Sequence, residues 1–494
     1  MNPDTTRYHL PALDRHGIIF GLTIPQLIVV SIGFTATMIF LTMTNANIFI
    51  ALAPCLVAIA IIKFTVGGIP ALELLGPVLS SIPKSKKREW TATTAWNGTE
   101  GDTPKTLAGI TVTDEHWHGL ERMAVIWDET AKSAALVIHV PGVDFALRTP
   151  AEQQALLGGW GVALSGFAVE GSPIERICVS QTANRSSLAD HEAWIKQQGS
   201  GITQQLRTDY NNLVAAAGPS TTTHNTHITL VVSSFRLSRS SWGTDGKNEH
   251  ERLLDALRRS AHQLTASLHA AELKDTQILD TTQLATVMQH ACDPTTAQAV
   301  APRAGTLAER IGATGNDRMG PTQTYYNTNW YETDYCGHRT FWIQNWPRHP
   351  LHASWLTNML SQPDTARRFT IIFRPVKPSI SHRRIDRELT RIHGDTEHKL
   401  EAGGRISAET RRHLAAVEER EEELVSGFAE VTYLGLVTVS GDSIEALEQA
   451  TASFESSALQ AGLTLRPLDH QQDTAWAAAL PLGLGIDLGR TADF

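Results

Sequence analysis

Between Gly17 and Ile62 the chain carries no Asp, Glu, Lys or Arg, an uncharged run long enough for two passes of about 20 residues each across a hydrocarbon core about 30 Å thick. The pattern predicts two membrane helices, 22–43 and 48–66, with "TNAN" (Thr44 to Asn47) as the polar break between them. Pro25 is tolerated near a first helical turn, where its missing N–H has no partner to lose. Thr23 and Gln26 are then expected at headgroup depth. Arg7 and Arg15 precede the pair, Lys63 ends it, and Lys84, Lys86, Lys87 and Arg88 follow it. Basic residues are retained on the cytoplasmic side, so both termini are expected there. "GGIPALELLGPVLSSIP" (Gly67 to Pro83) is apolar but broken by Gly and Pro, which suits an interfacial or re-entrant segment.

Past residue 90 the periodicity changes. Ser133–Gly142, Ile174–Thr182, Thr226–Phe235, Arg367–Val376 and Glu430–Ser440 are short β-branched runs that read as strands. Residues 151–168, 188–217 and 248–273 carry apolar positions at helical spacing. Ser379 to Val425 is densely charged and broken by "AGGR" (Ala402 to Arg405), which predicts two antiparallel helices with Ser407 capping the second. "HRTFWIQNWP" reads as a strand ended by Pro347, and "LHASWLTNML" (Leu351 to Leu360) as a helix. The fold class expected is therefore a membrane-anchored α+β protein: a transmembrane hairpin (17–66), an interfacial and basic linker (67–105), a cytoplasmic α/β region (106–300), an α+β region (301–480) containing the helical hairpin 379–425, and a tail (481–494).

Composition narrows the function classes. Forty-two Lys and Arg stand against 51 Asp and Glu, a net charge of −9, so no general nucleic-acid binder is expected, since phosphate contacts need a basic face. The one basic run, 84–88, is placed to meet anionic lipid. Four cysteines, Cys55, Cys178, Cys292 and Cys336, include no C-x-x-C pair, which argues against a disulfide framework or a zinc site.

Candidate chemistry is sparse. Gly246-Lys247 is followed by Asn248 and preceded five residues earlier by Ser241, so it is a turn and not a phosphate-cradling loop. His116 and His118 are spaced as a metal pair on one face of a strand, and with Tyr325 or Tyr326 as nucleophile they would make a metal-dependent nuclease. No third ligand is evident. The pairs His224/His227, His349/His352 and His393/His398 also lack a completing ligand and read as surface residues. No catalytic residue, cofactor or metal is expected.

"IIFGLTIPQLIVV" (Ile18 to Val30), with Phe20, Gly21, Thr23 and Gln26, resembles the start of the PrgI family, two-span subunits of conjugative type IV secretion systems. The strand, charged helical hairpin, strand, helix, strand order from Arg367 to Leu468, with the ending "LRPLDHQQDTAWAAALPLG", resembles the N-terminal, non-motor half of TrbE/CagE-type conjugation ATPases. The combination is similar to actinobacterial secretion or conjugation membrane proteins. It implies a non-catalytic inner-membrane scaffold that holds a separately encoded P-loop ATPase at a channel, among other membrane subunits, as a homo-oligomer on the bilayer. Arg411, Arg412, Glu418, Glu419 and Arg420 are the partner contacts expected on the hairpin, and the tail after Leu480 is expected to touch the motor as well. The alternatives are an EccE-like component of type VII secretion and the membrane-tethered nuclease.

Overall fold

The computed structural model describes residues 24–43, most of 52–142, 145–185, 203–217, 222–240, 248–294 and most of 318–488. Two helices open it, α1 (Ile24–Met43) and α2 (Ala53–Lys63), packed so closely that a Cβ on Gly33 would lie 2.6 Å from Cβ of Ala58. Their outer faces expose Ile28, Ile32, Phe34, Met38, Leu56 and Val57.

Among the described residues no helix is long and apolar enough to cross a membrane. The expected two-span anchor, and with it the plasma-membrane location, is therefore corrected. The 11 residues of α2 rise only about 16 Å at 1.5 Å each, half of a hydrocarbon core. Pro25, Gln26, Ser31, Thr35, Thr37 and Thr42 interrupt α1, and the hydroxyls of Thr35 and Thr42 turn back onto the carbonyls of Ser31 and Met38. The interfacial reading of 67–83 also changes at its described ends. Ile69–Pro70 (β2) pairs with Thr65–Val66 (β1), and buried Ser81 hydrogen-bonds Nδ1 of His470 at 2.8 Å.

The rest is built on one sheet of 13 strands in which every pairing is antiparallel. This replaces the separate α/β and α+β regions expected. In chain order the elements are β3 (Arg88–Thr91), β4 (Ile110–His116), β5 (Arg122–Asp128), β6 (Ser133–Val140), α3 (Pro150–Ser165), β7 (Ile174–Arg185), α4 (Gln204–Ala217), β8 (Thr222–Ser233), α5 (Glu249–Ala270), β9 (Gln277–Ile278) and α6 (Thr281–Cys292). After them come β10 (Gln323–Tyr326), β11 (Tyr331–Thr333), β12 (Cys336–Asn345), α7 (Thr357–Leu360), β13 (Ala366–Pro375), α8 (Pro378–Glu401), α9 (Ala408–Val425), β14 (Val431–Gly441), α10 (Ile444–Gln460), β15 (Thr464–Pro467) and α11 (Gln472–Ala479).

These two series are the same fold twice. In the first, β6, α3, β7, β8, α5 and β9 form a split β-α-β arrangement with sheet order β9-β6-β8-β7. In the second, β12, α7, β13, β14, α10 and β15 repeat it with order β15-β12-β14-β13. The hairpins β4-β5 and β10-β11 extend β6 and β12 alike, and α6 and α11 follow the last strand of each half. The halves join where β7 pairs with β13, from Arg367 opposite Ala183 to Phe373 opposite Ile177. Thr370 stands opposite Ser180 at the middle of that seam, their hydroxyls 3.2 Å apart, so a pseudo-two-fold axis passes between them.

Local sequence fixes the pieces. Thr149 with Glu152 and Asp280 with Gln283 form capping boxes on α3 and α6, satisfying backbone donors left over at a helix start. Asn248, Ser407 and Ser443 cap α5, α9 and α10. Strand β6 is buried at every residue but His139, as a strand covered on both faces must be. On one face α3 and α5 cover the first half and α10 the second, around Leu257, Leu264, Ile138 and Leu230, and around Phe341, Val437 and Phe454. The other face lies under α6 and α11.

The chain after α11 belongs to this second face. Leu480, Leu482 and Ile486 are buried, and a Cβ on Gly483 (φ +71) would stand 2.5 Å from Val231 Cγ2, a contact only glycine permits. The described part of the tail is therefore core and not the partner-binding surface expected of it. Among the described residues of Leu351–Leu360, expected as a helix, the helix is the last turn, α7.

Candidate functional site

Two features stand out: the helical arm between β13 and β14, and a polar stripe buried on the α6/α11 face. The arm, α8 and α9, has a small core of its own in Ile385, Ile392 and Val417. Charges set its base. Glu388 of α8 receives His413 Nε2 at 3.1 Å and Arg420 at 3.7 Å, while Glu430, at the foot of β14, receives Arg420 at 3.4 Å and Arg384 at 3.7 Å. Glu170 accepts the backbone N–H of Ser379 at 2.9 Å, and hydrogen bonding from the Ser379 side chain, then from that N–H, holds its carboxyl below the usual range. The arm is thus tied at its root by ion pairs shared between both helices and the sheet.

Of the contacts expected on the arm, Arg411, Arg412, Glu418 and Glu419 are exposed. Arg420 is spent internally on Glu388 and Glu430, and so acts as a strut. Helix α4 leaves the first half from the equivalent connection, between β7 and β8, and displays Leu206 (63 % exposed) and Leu213 (66 %) on one face. Gln26 lies half-buried on α1, and Arg88 lies in β3. Phe20, Gly21, Thr23, Lys84, Lys86 and Lys87 lie outside the described residues, as do Gly246, Lys247, His118, His349 and His352.

His116 ends β4, exposed, with its carbonyl accepting from Arg258 at 2.7 Å. Tyr326 is buried on β10. Among the described residues no group of His, Cys, Asp and Glu could hold a metal ion. His224, His393 and His398 are exposed as expected, whereas His227 is buried, its ring 5.3 Å from that of His139. Of the cysteines, all free, Cys178, Cys292 and Cys336 are buried. Burial pushes the Cys178 thiol up to about 11, and moves those of Cys292 and Cys336 in the same direction. None of the three is poised as a thiolate.

The buried stripe escapes sequence reading because register alone assembles it. Thr340, Thr438, Arg368, Thr182 and Asn225 stand in one row across five strands. The next row holds Trp342, Leu436, Thr370, Ser180, His227 and His139. His338, fully buried, shares hydrogen bonds with Ser440 (2.8 Å), Thr333 (2.7 Å) and the Cys292 carbonyl (3.0 Å). Burial, then the nearby Arg368 charge, holds its pKa down at about 3, so it is a neutral structural histidine. Burial, then His139 and Arg368, does the same to His227.

No protein-family profile and no curated protein sequence matches the chain.

Proposed function

We propose that the chain is a non-catalytic scaffold that holds a separately encoded P-loop ATPase within a secretion or conjugation apparatus, gripping it through helical arms. The observation that carries this reading is the α8–α9 arm, whose root is braced by Glu388, Arg420 and Glu430 while Arg411, Arg412, Glu418 and Glu419 face outward. A braced arm with charges of both signs is suited to fix the register of a partner more than to supply raw affinity. Helix α4, from the matching connection of the other half, adds an apolar contact through Leu206 and Leu213. The arms emerge from opposite ends of the β7·β13 seam, so one partner, or two copies of one, can be held across the sheet.

The ATPase identity rests on the resemblance of 367–468 and of "FGLTIPQ" to conjugation proteins. Affinity purification of the tagged chain, mass spectrometry of what it retains, and an ATPase assay of the chain alone test the proposal together. Co-recovery of a P-loop ATPase, no turnover by the chain itself, and at least about tenfold lower recovery with Arg411→Glu/Arg412→Glu are expected, as for charges at a specific contact. ATP turnover without a partner, or recovery of type VII components alone, would overturn it.

A further inference from the structure

Several buried arginines in this fold find a carboxylate or backbone carbonyls, and Arg368 does not. Arg176 donates through Nε to the Gly483 carbonyl at 2.7 Å and pairs with Glu175 at 2.9 Å. Arg374, in β13, reaches the same carboxylate at 3.7 Å. Arg367 spends its guanidinium on the carbonyls of Leu360, Gln362 and Thr365. Arg368 is 6 % exposed, its Nε has no hydrogen-bond partner, and no carboxylate pairs with it among the described residues.

An ionised arginine taken out of water costs several kcal/mol unless a counter-charge meets it. Arg368 instead faces groups that carry no full counter-charge. His227 and His338 both feel its charge, and its remaining electrostatic neighbour is the thiol of Cys292. His227 in turn has His139 and His290 as neighbours. His338 is fully satisfied, but His227 Nδ1 and His290 Nε2 are buried without a partner. One permanently charged fork and two unspent imidazole nitrogens therefore lie around one patch, on three elements: β13, β8 and helix α6.

We propose that the stripe under α6 and α11 is a binding site for a phosphoryl group, held by the guanidinium of Arg368 with the ring nitrogens of His227 and His290 as flanking donors. Arginine's planar fork binds two oxygens of such a group side by side. Donors from a strand two places away and from a helix above the sheet match the further oxygens of a tetrahedral group; a planar carboxylate has only two to offer. The site straddles the seam and has no symmetry mate, because the position matching Arg368 in the first half is Cys178, paired across the seam with Ile372.

The test uses the full chain in chloride at constant ionic strength, with inorganic phosphate titrated in and thermal unfolding followed, and acetate as the parallel arm. A ligand bound only by the native state raises the melting temperature with its concentration. A concentration-dependent rise with phosphate and none with acetate is expected. Arg368→Met should weaken phosphate at least about tenfold, the cost of a charge-assisted hydrogen bond, while the exposed control Arg391→Met leaves it unchanged. If Arg368→Met fails to fold, His227→Asn and His290→Gln carry the test, each lowering phosphate affinity severalfold. A phosphate effect no larger than that of acetate, or one unaltered in all three variants, would overturn the proposal. Triphosphate and phosphomonoester ligands in the same assay separate a free phosphate site from one for a phosphorylated metabolite.

Discussion

Single residues set how this protein responds to acid. His338 and His227 are both held neutral at about 3, where an ordinary histidine sits at 6.5, mainly because charging a ring between packed layers loses hydration that nothing returns. Below pH 6.5 the unfolded chain takes up protons on these rings and the native chain does not. Their contribution is therefore complete above about pH 6.5 and lost progressively toward pH 3, at about 1.4 kcal/mol per pH unit for each ring. Urea unfolding from pH 7.5 down to 5 should show this slope, and His338→Gln should flatten it in proportion. Little of this was legible from the residues alone. His224 and His227, three apart on one strand, take opposite faces by alternation, but only the strand order β7-β8-β6 sets one of them beside a neighbouring imidazole. Arg368 is equally mute: "RRF" opens a strand, and nothing local tells which arginine will be caged by carbonyls and which will stand beside histidines.

At the scale of elements, reading was far better where period and caps agreed. Strands expected at 174–182, 367–376 and 430–440 appear as Ile174–Arg185, Ala366–Pro375 and Val431–Gly441, since β-branched runs between turn residues have few other stable arrangements. The charged stretch around "AGGR" is a helical hairpin for the same reason, with Ser407 capping α9. Misreadings cluster where apolar content was taken for a medium. An uncharged run was read as two spans, although length and hydroxyl content leave no helix among the described residues that can cross a membrane. The segment "LPLGLGI", expected to touch a motor, instead buries Leu480, Leu482 and Ile486 in the core. The arm offers an element-level prediction. Replacing 377–429 with a short glycine-rich turn should leave the β13·β14 ladder intact and shift the main unfolding transition by only a few degrees, because the arm's core of Ile385, Ile392 and Val417 is its own. Arg420→Met should speed amide exchange in α8 and α9 while strands β13 and β14 stay protected, as expected of a locally cooperative unit.

For the whole molecule, duplication did not yield two independent halves. Trp476, Ala477, Leu480 and Leu482, from the end of the second half, share one core cluster with Leu107, Ile110, Val137 and Leu284 of the first. The halves should therefore melt together, and a chain ending at Ala479 should lose far more than its length suggests. Removing Leu480 and Leu482 uncovers Ala135 and Val231 and costs on the order of 2–5 kcal/mol for each large apolar side chain. Differential scanning calorimetry of that truncation should show a lower, broader transition, and single-peaked melting of the intact chain is the companion expectation. The same interleaving has a consequence for biosynthesis. Helix α6 and the face it shares are complete when residue 292 leaves the ribosome, yet their lid is encoded from residue 476 onward. At about 5–20 residues per second, that apolar face waits on the order of ten to forty seconds for its cover, an interval in which nascent-chain chaperones have a defined surface to guard.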